Sequence, residues 1–475
     1  MVMKKFFPGA VLGVWLLFSG CVKAPGTYET LDDYRREFAR RQLPAMLPET
    51  EVLTLKKAQD ITLINNPTNL AAAQAVYAAK YRYYRALSAY APEINAGYSL
   101  DHTISSGWDL KNPPVGVMKR NNHLVSNGTV QASWLLFDGF ARELETIIRK
   151  QQFKQSRELE KNVKRLLLRA VAYAYCDMLL AEEEVKINRE DLDFQHQALA
   201  QSEAQFRNGH VSRAAVLNFK ILAARAESRI SNAEYRRQTA LHALISLMGL
   251  EMEQLPENFK LEKISTENLP LILEEKFYLE AAIKYRPDLK TEKINLNTAY
   301  FSYLQAYSGF LPEIRLFSGF ALDSYRARYG GYRVSDSHSQ QGSFNYGAEG
   351  RWNIFRGLDS YNQLRELAML KNAAKWNLNA KFLEVMTEVR DARDNCRNAR
   401  RQTALFRDMA QWVTEQRNLV FSEYQNGRET ITRLNEAQDI LVEARSKLVL
   451  YAVEFYKAAA QLAAASGLPE ISGTP

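Results

Sequence analysis

Trp134-Leu135-Leu136-Phe137-Asp138-Gly139 and, 218 residues later, Trp352-Asn353-Ile354-Phe355-Arg356-Gly357 carry one pattern twice: an indole, a phenylalanine three positions on, and a glycine two after that. The correspondence extends outward from this stretch in both directions. Upstream, Asn66-Pro67 matches Arg286-Pro287, and Ala91-Pro92-Glu93-Ile94 matches Leu311-Pro312-Glu313-Ile314, both at an offset of 220. Downstream, Phe206-Arg207-Asn208-Gly209 matches Tyr424-Gln425-Asn426-Gly427, and Met248-Gly249-Leu250 matches Ser466-Gly467-Leu468, both at 218. So constant an offset marks an internal duplication, in which each half is one structural unit.

Within each unit the periodicity passes from helix to a strand pair and back to helix. Phe344, Tyr346, Ala348, Gly350 and Trp352 alternate with Asn345, Gly347, Glu349, Arg351 and Asn353, the period of a sheet that is apolar on one side only. Ile94, Ala96, Tyr98 and Leu100 do the same, as do Ile314, Leu316 and Phe320. Four strands of about 13 residues fit a soluble sandwich, and they also fit a membrane barrel, whose strands need about 9 to 11. Trp134 and Trp352 at the strand ends suit an interfacial aromatic girdle or a pair of core tryptophans. Polar stretches at 109–123 and 327–342 are expected to be exposed turns.

The stretches 139–206 and 357–424 contain no proline, and as helices of about 67 residues each would reach roughly 100 Å. Their apolar positions step by three and four, in Leu159, Val163, Leu166, Ala170 and Tyr173 and again in Phe382, Val385, Val389, Ala392 and Cys396, which predicts a coiled-coil seam. Shorter helices are expected over 52–90, 209–249, 276–310 and 427–467, two of which laid end to end match one long rod. Each chain thus supplies four rods and four strands. Four strands cannot close a barrel, and open edges are too costly in lipid, so copies must combine, with a C3 trimer as the expectation.

At the amino terminus, Lys4 and Lys5 precede an apolar run from Phe6 to Phe18 and then Ser19-Gly20-Cys21, which fits a secretory signal too short to span a bilayer. Phe18-Ser19-Gly20-Cys21 resembles a bacterial lipobox, with Phe18 where leucine is usual. The resemblance implies cleavage before Cys21 and a covalent lipid on it, tethering the chain to a membrane face. The net charge of +8 falls to +6 once Lys4 and Lys5 leave with the leader.

Composition narrows the remaining classes. Gly and Pro together make up about 8% of the chain, against an average near 12%, which excludes a loop-rich or collagen-like protein. The 62 Lys and Arg and the 54 Asp and Glu are interspersed, as in Arg390-Asp391-Ala392-Arg393-Asp394, unlike the basic stripe of a nucleic-acid binder, so no nucleic-acid partner is expected. Three cysteines without C-x-x-C spacing, and six scattered histidines (His102, His123, His196, His210, His242 and His338), support neither a disulfide scaffold nor a metal or other cofactor. Cys176 and Cys396 are expected to be structural and buried.

Taken together, Leu63-Ile64-Asn65-Asn66-Pro67, the paired Pro-Glu-Ile strand openings, Phe137-Asp138-Gly139 and the Asn-Gly tips followed by Thr432-Arg433-Leu434-Asn435-Glu436-Ala437-Gln438 make the chain resemble TolC-like outer membrane efflux proteins over nearly all of residues 50 to 469. The implied fold is mainly α with a small β part: a long coiled-coil helical barrel plus a transmembrane β-barrel, four strands per chain, trimeric. The implied role is an outer membrane duct extending into the periplasm, working with a periplasmic adaptor and an inner membrane transporter. The organisation expected is a signal peptide (1–20), a lipid-anchored segment (21–50), a first repeat (51–250), an equatorial connection (251–275), a second repeat (276–469) and a tail (470–475).

Asn208-Gly209 and Asn426-Gly427 fall where each long rod must reverse, since glycine permits the positive φ of such a helix end. The resemblance makes these tips the periplasmic mouth, with Gly209, His210, Val211, Ser212, Gly427, Arg428, Glu429 and Thr430 as adaptor contacts. Family members often carry acidic residues just after the second tip, and the matching positions here are Arg433 and Glu436, a departure at one of the two. They are either a pore constriction repeated by symmetry or two surface charges paired one turn apart. Two other classes compete with the duct. A periplasmic lipoprotein scaffold would form no channel, and an envelope hydrolase would need a nucleophile with its base, paired carboxylates or a metal cluster, none of which stands at usable spacing.

Overall fold

The computed structural model describes residues 52–109, 117–250, 260–263, 265–267, 269–330 and 335–469. The expected leader, Cys21, the segment 21–50, most of the first part of the connection and the tail 470–475 lie outside the described residues. In chain order the elements are β1 (Val52–Leu53), α1 (Leu55–Asn65), α2 (Pro67–Ser88), β2 (Glu93–Asp109), β3 (Val117–Phe137), α3 (Ala141–Arg207), α4 (Arg213–Met248), β4 (Lys260–Leu261), α5 (Glu275–Tyr285), α6 (Pro287–Gln305), a 3-10 turn (Ala306–Phe310), β5 (Glu313–Gly330), β6 (Ser335–Arg351), α7 (Asp359–Gln425) and α8 (Ile431–Ser466).

The two long rods are present as α3 and α7, each 67 residues. They order the helical layer. α3 packs between the composite rod α2 with α4 on one side and α6 with α8 on the other, while α7 packs mainly against the α6 and α8 side, together with α5. The four long strands form one antiparallel sheet in the order β2-β3-β5-β6.

Three sequence expectations need correction. The helices expected over 52–90 and 276–310 are each broken, at Asn66-Pro67 and Arg286-Pro287. The residue before each proline is extended, with ψ near 120°, because the proline ring crowds the helical conformation of its predecessor, and the proline then opens the next helix. The strands run 17, 21, 18 and 17 residues rather than about 13, so β3, β5 and β6 take up much of the stretches expected as turns. Ladder hydrogen bonds need no apolar side chain, so the alternating pattern reported only the portion that is apolar on one face.

The third correction concerns the seam of α3. Leu159 is exposed and Val163, Leu166, Ala170 and Tyr173 are only half-buried, whereas Val171, Ala174, Tyr175 and Met178 are buried. A rod held on two flanks has no single stripe: the flank toward α8 is met by polar groups, Arg165 donating to the Ala464 carbonyl at 2.6 Å and Arg169 to Gln461 at 3.0 Å. In α7 the expected seam holds at Val385, Val389, Ala392 and Cys396, with Phe382 exposed.

The core is concentrated where the composite rods break. One cluster joins Leu53, Ile61, Val171, Tyr175, Met178, Leu244, Met248 and Leu261, and its counterpart in the second repeat joins Tyr278, Val385, Val389, Cys396, Phe455 and Leu462. The connection between repeats carries β4, which pairs in parallel with β1, and the Tyr175 hydroxyl braces that pair by donating to the Leu53 carbonyl at 2.8 Å. Cys176 and Cys396 are both free and buried, and burial pushes each thiol up to about 12. α8 is the one described helix long and apolar enough to cross a membrane, but half of that stretch is buried in protein contacts, so its apolar character serves packing.

One of the buried positions at which the copies differ decides how each composite rod is held. Asn66 donates its side-chain amide to the Leu247 carbonyl at 2.8 Å, closing the end of α4. Its counterpart Arg286, 1% exposed, donates to the Ala465 carbonyl at 3.2 Å near the end of α8, to both oxygens of Asp288 at 2.9 and 2.6 Å, and to Glu388 at 2.5 Å. Arg165 and Lys381 lie 3.5 and 3.6 Å from Asp288, joining α3, α6, α7 and α8 in one charged knot.

Candidate functional site

The sheet is two-faced. Alternation along paired strands puts Ile94, Tyr98 and Leu100 of β2, Val130 and Trp134 of β3, Leu316, Phe320 and Leu322 of β5, and Phe344 and Tyr346 of β6 on one side, all of them exposed. The other side carries Asn95, Ser99, Asp101, Asn127, Gln131, Asp323, Gln341, Asn345 and Glu349, with Asn127 donating to Asp323 across β3 and β5. On β5 the apolar band runs from Ile314 to Leu322, about 30 Å along the strand and roughly 22 Å high at the usual barrel tilt, close to the band of a membrane barrel. The outer halves of the strands continue beyond it with mostly polar residues, Ile104 and Leu124 being exceptions. β2 and β6 are the sheet's edges, and neither has a strand partner on its outer side among the described residues.

The tryptophans mark the helix end of this band. The Trp134 indole donates to the Tyr90 carbonyl at 3.0 Å and the Trp352 indole to the Phe310 carbonyl at 3.1 Å, each reaching the residue just before a Pro-containing strand opening. Trp134 and Trp352 are 44% and 60% exposed, so neither is a core residue in the single chain. The corner from strand to long rod is built by Phe137-Asp138-Gly139: Asp138 accepts from the Arg142 amide at 2.9 Å, and the Arg142 guanidinium holds the Leu135 carbonyl at 2.7 Å and the Ala89 carbonyl at 3.2 Å. One side chain thereby fixes the end of α2 to the end of β3. Sequence inspection did not single out Arg142, whose spacing from Asp138 is the only signal it offers.

At the opposite end both long rods reverse. Gly209 and Gly427 have φ of +75° and +71°, and the next residues close the helix ends, His210 donating to the Gln205 carbonyl and Arg428 to the Glu423 carbonyl, each at 2.9 Å. A Cβ at either glycine would meet nothing within 4 Å, so the tips project into open space. His210 and Arg428 are exposed, and Val211 and Glu429 are half-buried. Ser212 and Thr430 are N-caps, accepting from Ala215 at 3.4 Å and Arg433 at 3.2 Å, which gives their hydroxyls a local role beside any contact they make.

Arg433 and Glu436 form an ion pair at 2.9 Å on one exposed helix face. In the single chain this is the pairing one turn apart. Between the two hairpins lies a polar contact that sequence inspection missed. Asp191 of α3, 1% exposed, accepts from Gln438 of α8 at 2.9 Å and faces Arg229 of α4 at 3.2 Å, while Arg445 donates to Glu190 at 2.7 Å and the rings of Phe194 and Phe421 meet at 5.7 Å. Asn188-Arg189-Glu190-Asp191 has the composition of a solvated face, so nothing local in the sequence signals that Asp191 is enclosed. Among the described residues no group of His, Cys, Asp and Glu is arranged to hold a metal.

The family profile described as Outer membrane efflux protein matches residues 59–250 and 278–468, one match for each repeat. No curated protein matches the chain. Among solved structures, the CmeC outer membrane channel of Campylobacter jejuni is 15% identical with a TM-score of 0.73, over 96% of this chain and 92% of that one. CusC, described for conformational changes accompanying folding and transmembrane channel formation, is 19% identical with a TM-score of 0.71, over 87% and 92%. The open state of the MtrE outer membrane channel of Neisseria gonorrhoeae is 17% identical with a TM-score of 0.66, over 87% and 89%. With both repeats matched and the same fold in these channels, the chain belongs to the outer membrane efflux protein family.

Proposed function

We propose that three copies of this chain form an outer membrane exit duct, lipid-anchored through Cys21, which conducts cargo passively from an inner membrane transporter and its periplasmic adaptor to the exterior in a tripartite efflux or type I secretion system. The carrying observation is that the unpaired strand edges and the unpartnered helix flanks fall on matching sides. β2 follows α2 on one flank, and β6 precedes α7 on the other. Both helical flanks expose apolar residues at heptad spacing: Leu70, Tyr77 and Tyr84 on α2, and Met369, Trp376 and Leu383, then Leu405, Trp412 and Leu419, on α7. One copy's β6 and α7 therefore complement the next copy's β2 and composite rod, a head-to-tail contact that generates a ring.

Three copies give twelve strands. Two would give eight, a size normally filled by its own side chains, whereas the inward face here is mostly Asn, Ser, Gln, Gly, Asp and Glu, suited to water. In the ring the tips bearing Gly209, His210, Val211, Ser212, Gly427, Arg428, Glu429 and Thr430 form the mouth that meets the adaptor, and Arg433 with Glu436 recurs three times at the constriction. The duct performs no chemistry, and its transporter supplies the energy.

The test is the native mass of the protein extracted in detergent from the outer membrane fraction, with conductance of the same sample in a planar bilayer. Three conducting copies, each cut at Cys21 and acylated, are expected. A soluble, non-conducting monomer or dimer without lipid would instead favour the periplasmic scaffold.

A further inference from the structure

Outside the apolar band, separated from Leu322 of β5 by Ser324, one cross-strand row runs through the whole sheet: His102 pairs with Leu124, Leu124 with Arg326, and Arg326 with His338. Register puts these residues on the same side as Leu100, Leu322 and Phe344, and His102, Arg326 and His338 are all exposed. They line a shallow hollow of about 470 Å³ with Asn122, Leu124, Ala327 and Ser337. His102 contacts the Asn122 side chain, and His338 Nδ1 lies 3.3 Å from the Tyr325 carbonyl. The Arg326 side chain makes no hydrogen bond or ion pair to a described residue, and its guanidinium is the fixed charge of the hollow.

We infer that this row is a binding site for the phosphate of a lipid headgroup in the outer leaflet, an inference that rests on the barrel reading above. Three features carry it. A guanidinium offers the planar pair of donors that matches a phosphate, and the His338 ring opposite it adds a further donor within one strand spacing. A metal cation is a poor occupant, because the Arg326 charge stands between the two histidines. Apolar surface also begins close by: toward the helices the next row on this face is Leu100, Ser126, Ser324 and Gln340, the one after it Tyr98, Gly128, Leu322 and Gly342, and the third holds Val130, Phe320 and Phe344. A phosphate seated at Arg326 therefore has its acyl chains laid along the band, which a free phosphate ion would not use.

The experiment compares native mass spectra of the whole wild-type protein, of Arg326→Gln and of the double variant Arg326→Gln with His338→Gln. Each is incubated in detergent with a diphosphorylated diglucosamine lipid, or with the same lipid stripped of phosphate. Wild type is expected to hold the phosphorylated lipid at least tenfold better than the double variant, with Arg326→Gln accounting for most of the loss, and the stripped lipid is expected to bind all three proteins equally weakly. Equal retention of the phosphorylated lipid by wild type and double variant, or equal retention of both lipids by wild type, overturns the site. The samples are also scored for assembly and conductance. Conducting assemblies without the lipid difference sink this inference alone, whereas failure of wild type to assemble or conduct sinks the barrel reading beneath it.

Discussion

Replacing Arg286 with methionine keeps the aliphatic stem in its buried place and deletes the guanidinium from the charged knot. Removing one partner of a buried ion pair costs about 3 to 5 kcal/mol when the other is left uncompensated. Here the remaining charges are partly provided for. Asp288 keeps Arg165 at 3.5 Å and Lys381 at 3.6 Å, and the Glu388 side chain, 38% exposed, can regain water. The cost therefore falls at the low end, about 3 kcal/mol, including the Ala465 carbonyl left without its donor. At about 1.4 kcal/mol per factor of ten, local opening of the end of α8 becomes roughly 150 times more frequent. The reporters are the Gly467 and Leu468 amides, which bond to Ala464 and Ala463 and whose hydrogen exchange can be followed by mass spectrometry in the assembled protein. The first repeat supplies the control. Asn66→Ser retains a capping hydroxyl for α2 and loses only the bond to Leu247, about 1 kcal/mol or roughly fivefold at the end of α4. Exchange at α8 that changes less than threefold, or no more than the control changes α4, would refute the view that this knot holds the second repeat together.

The same knot has a pH signature. Burial alone would raise the Asp288 carboxyl, but its hydrogen bonds to Arg286 and the charges of Arg286, Arg165 and Lys381 outweigh that and hold it down at about 2. A depressed carboxylate stabilises the folded state above its unfolded value near 3.8, so protection of the α8 end is expected to be flat from pH 7 to about 4 and to fall between about 4 and 2; Asp288→Asn should remove that fall. At the tip, Gly427→Trp is expected to leave assembly intact, since a Cβ at this exposed turn meets nothing and the positive φ costs about 1 to 2 kcal/mol, while abolishing transporter-dependent export; undiminished export would remove the docking role. Arg433→Asp replaces the ion pair with like charges one turn apart and is expected to raise resting conductance or shift selectivity toward cations, and unchanged planar-bilayer traces would remove both charges from the constriction.

Much of the architecture was legible because duplication and periodicity are one-dimensional signals. The two 67-residue rods, the four strands, the tip glycines and the paired tryptophans fall where repeat matching and alternation put them. The misses share a cause. Strand ends were set short because alternation fades where polar residues take over although the ladder continues, and the α3 seam was misplaced because its flank toward α8 is held by Arg165 and Arg169 rather than by an apolar stripe. Asn66-Pro67 and Arg286-Pro287 stand out as matching residues, but matching marks only their equivalence, whereas the break comes from the proline ring crowding its predecessor.

By itself the sequence determined that two copies of one unit, each with a long rod and a one-sided strand pair, make up this chain. Helix and strand periods, prolines and glycines act on near neighbours, so their consequences can be read along a single line. Only the tertiary structure decided which distant groups meet: that Asp191, in a stretch of solvated composition, is enclosed against Gln438; that Arg286 joins four helices; that His102, Arg326 and His338 stand in one row; and that the free edges of the sheet and of the helical layer lie on matching flanks. These depend on strand order, register and the rotation of one rod against another, which are set by packing summed over the whole molecule and leave no trace at any single position.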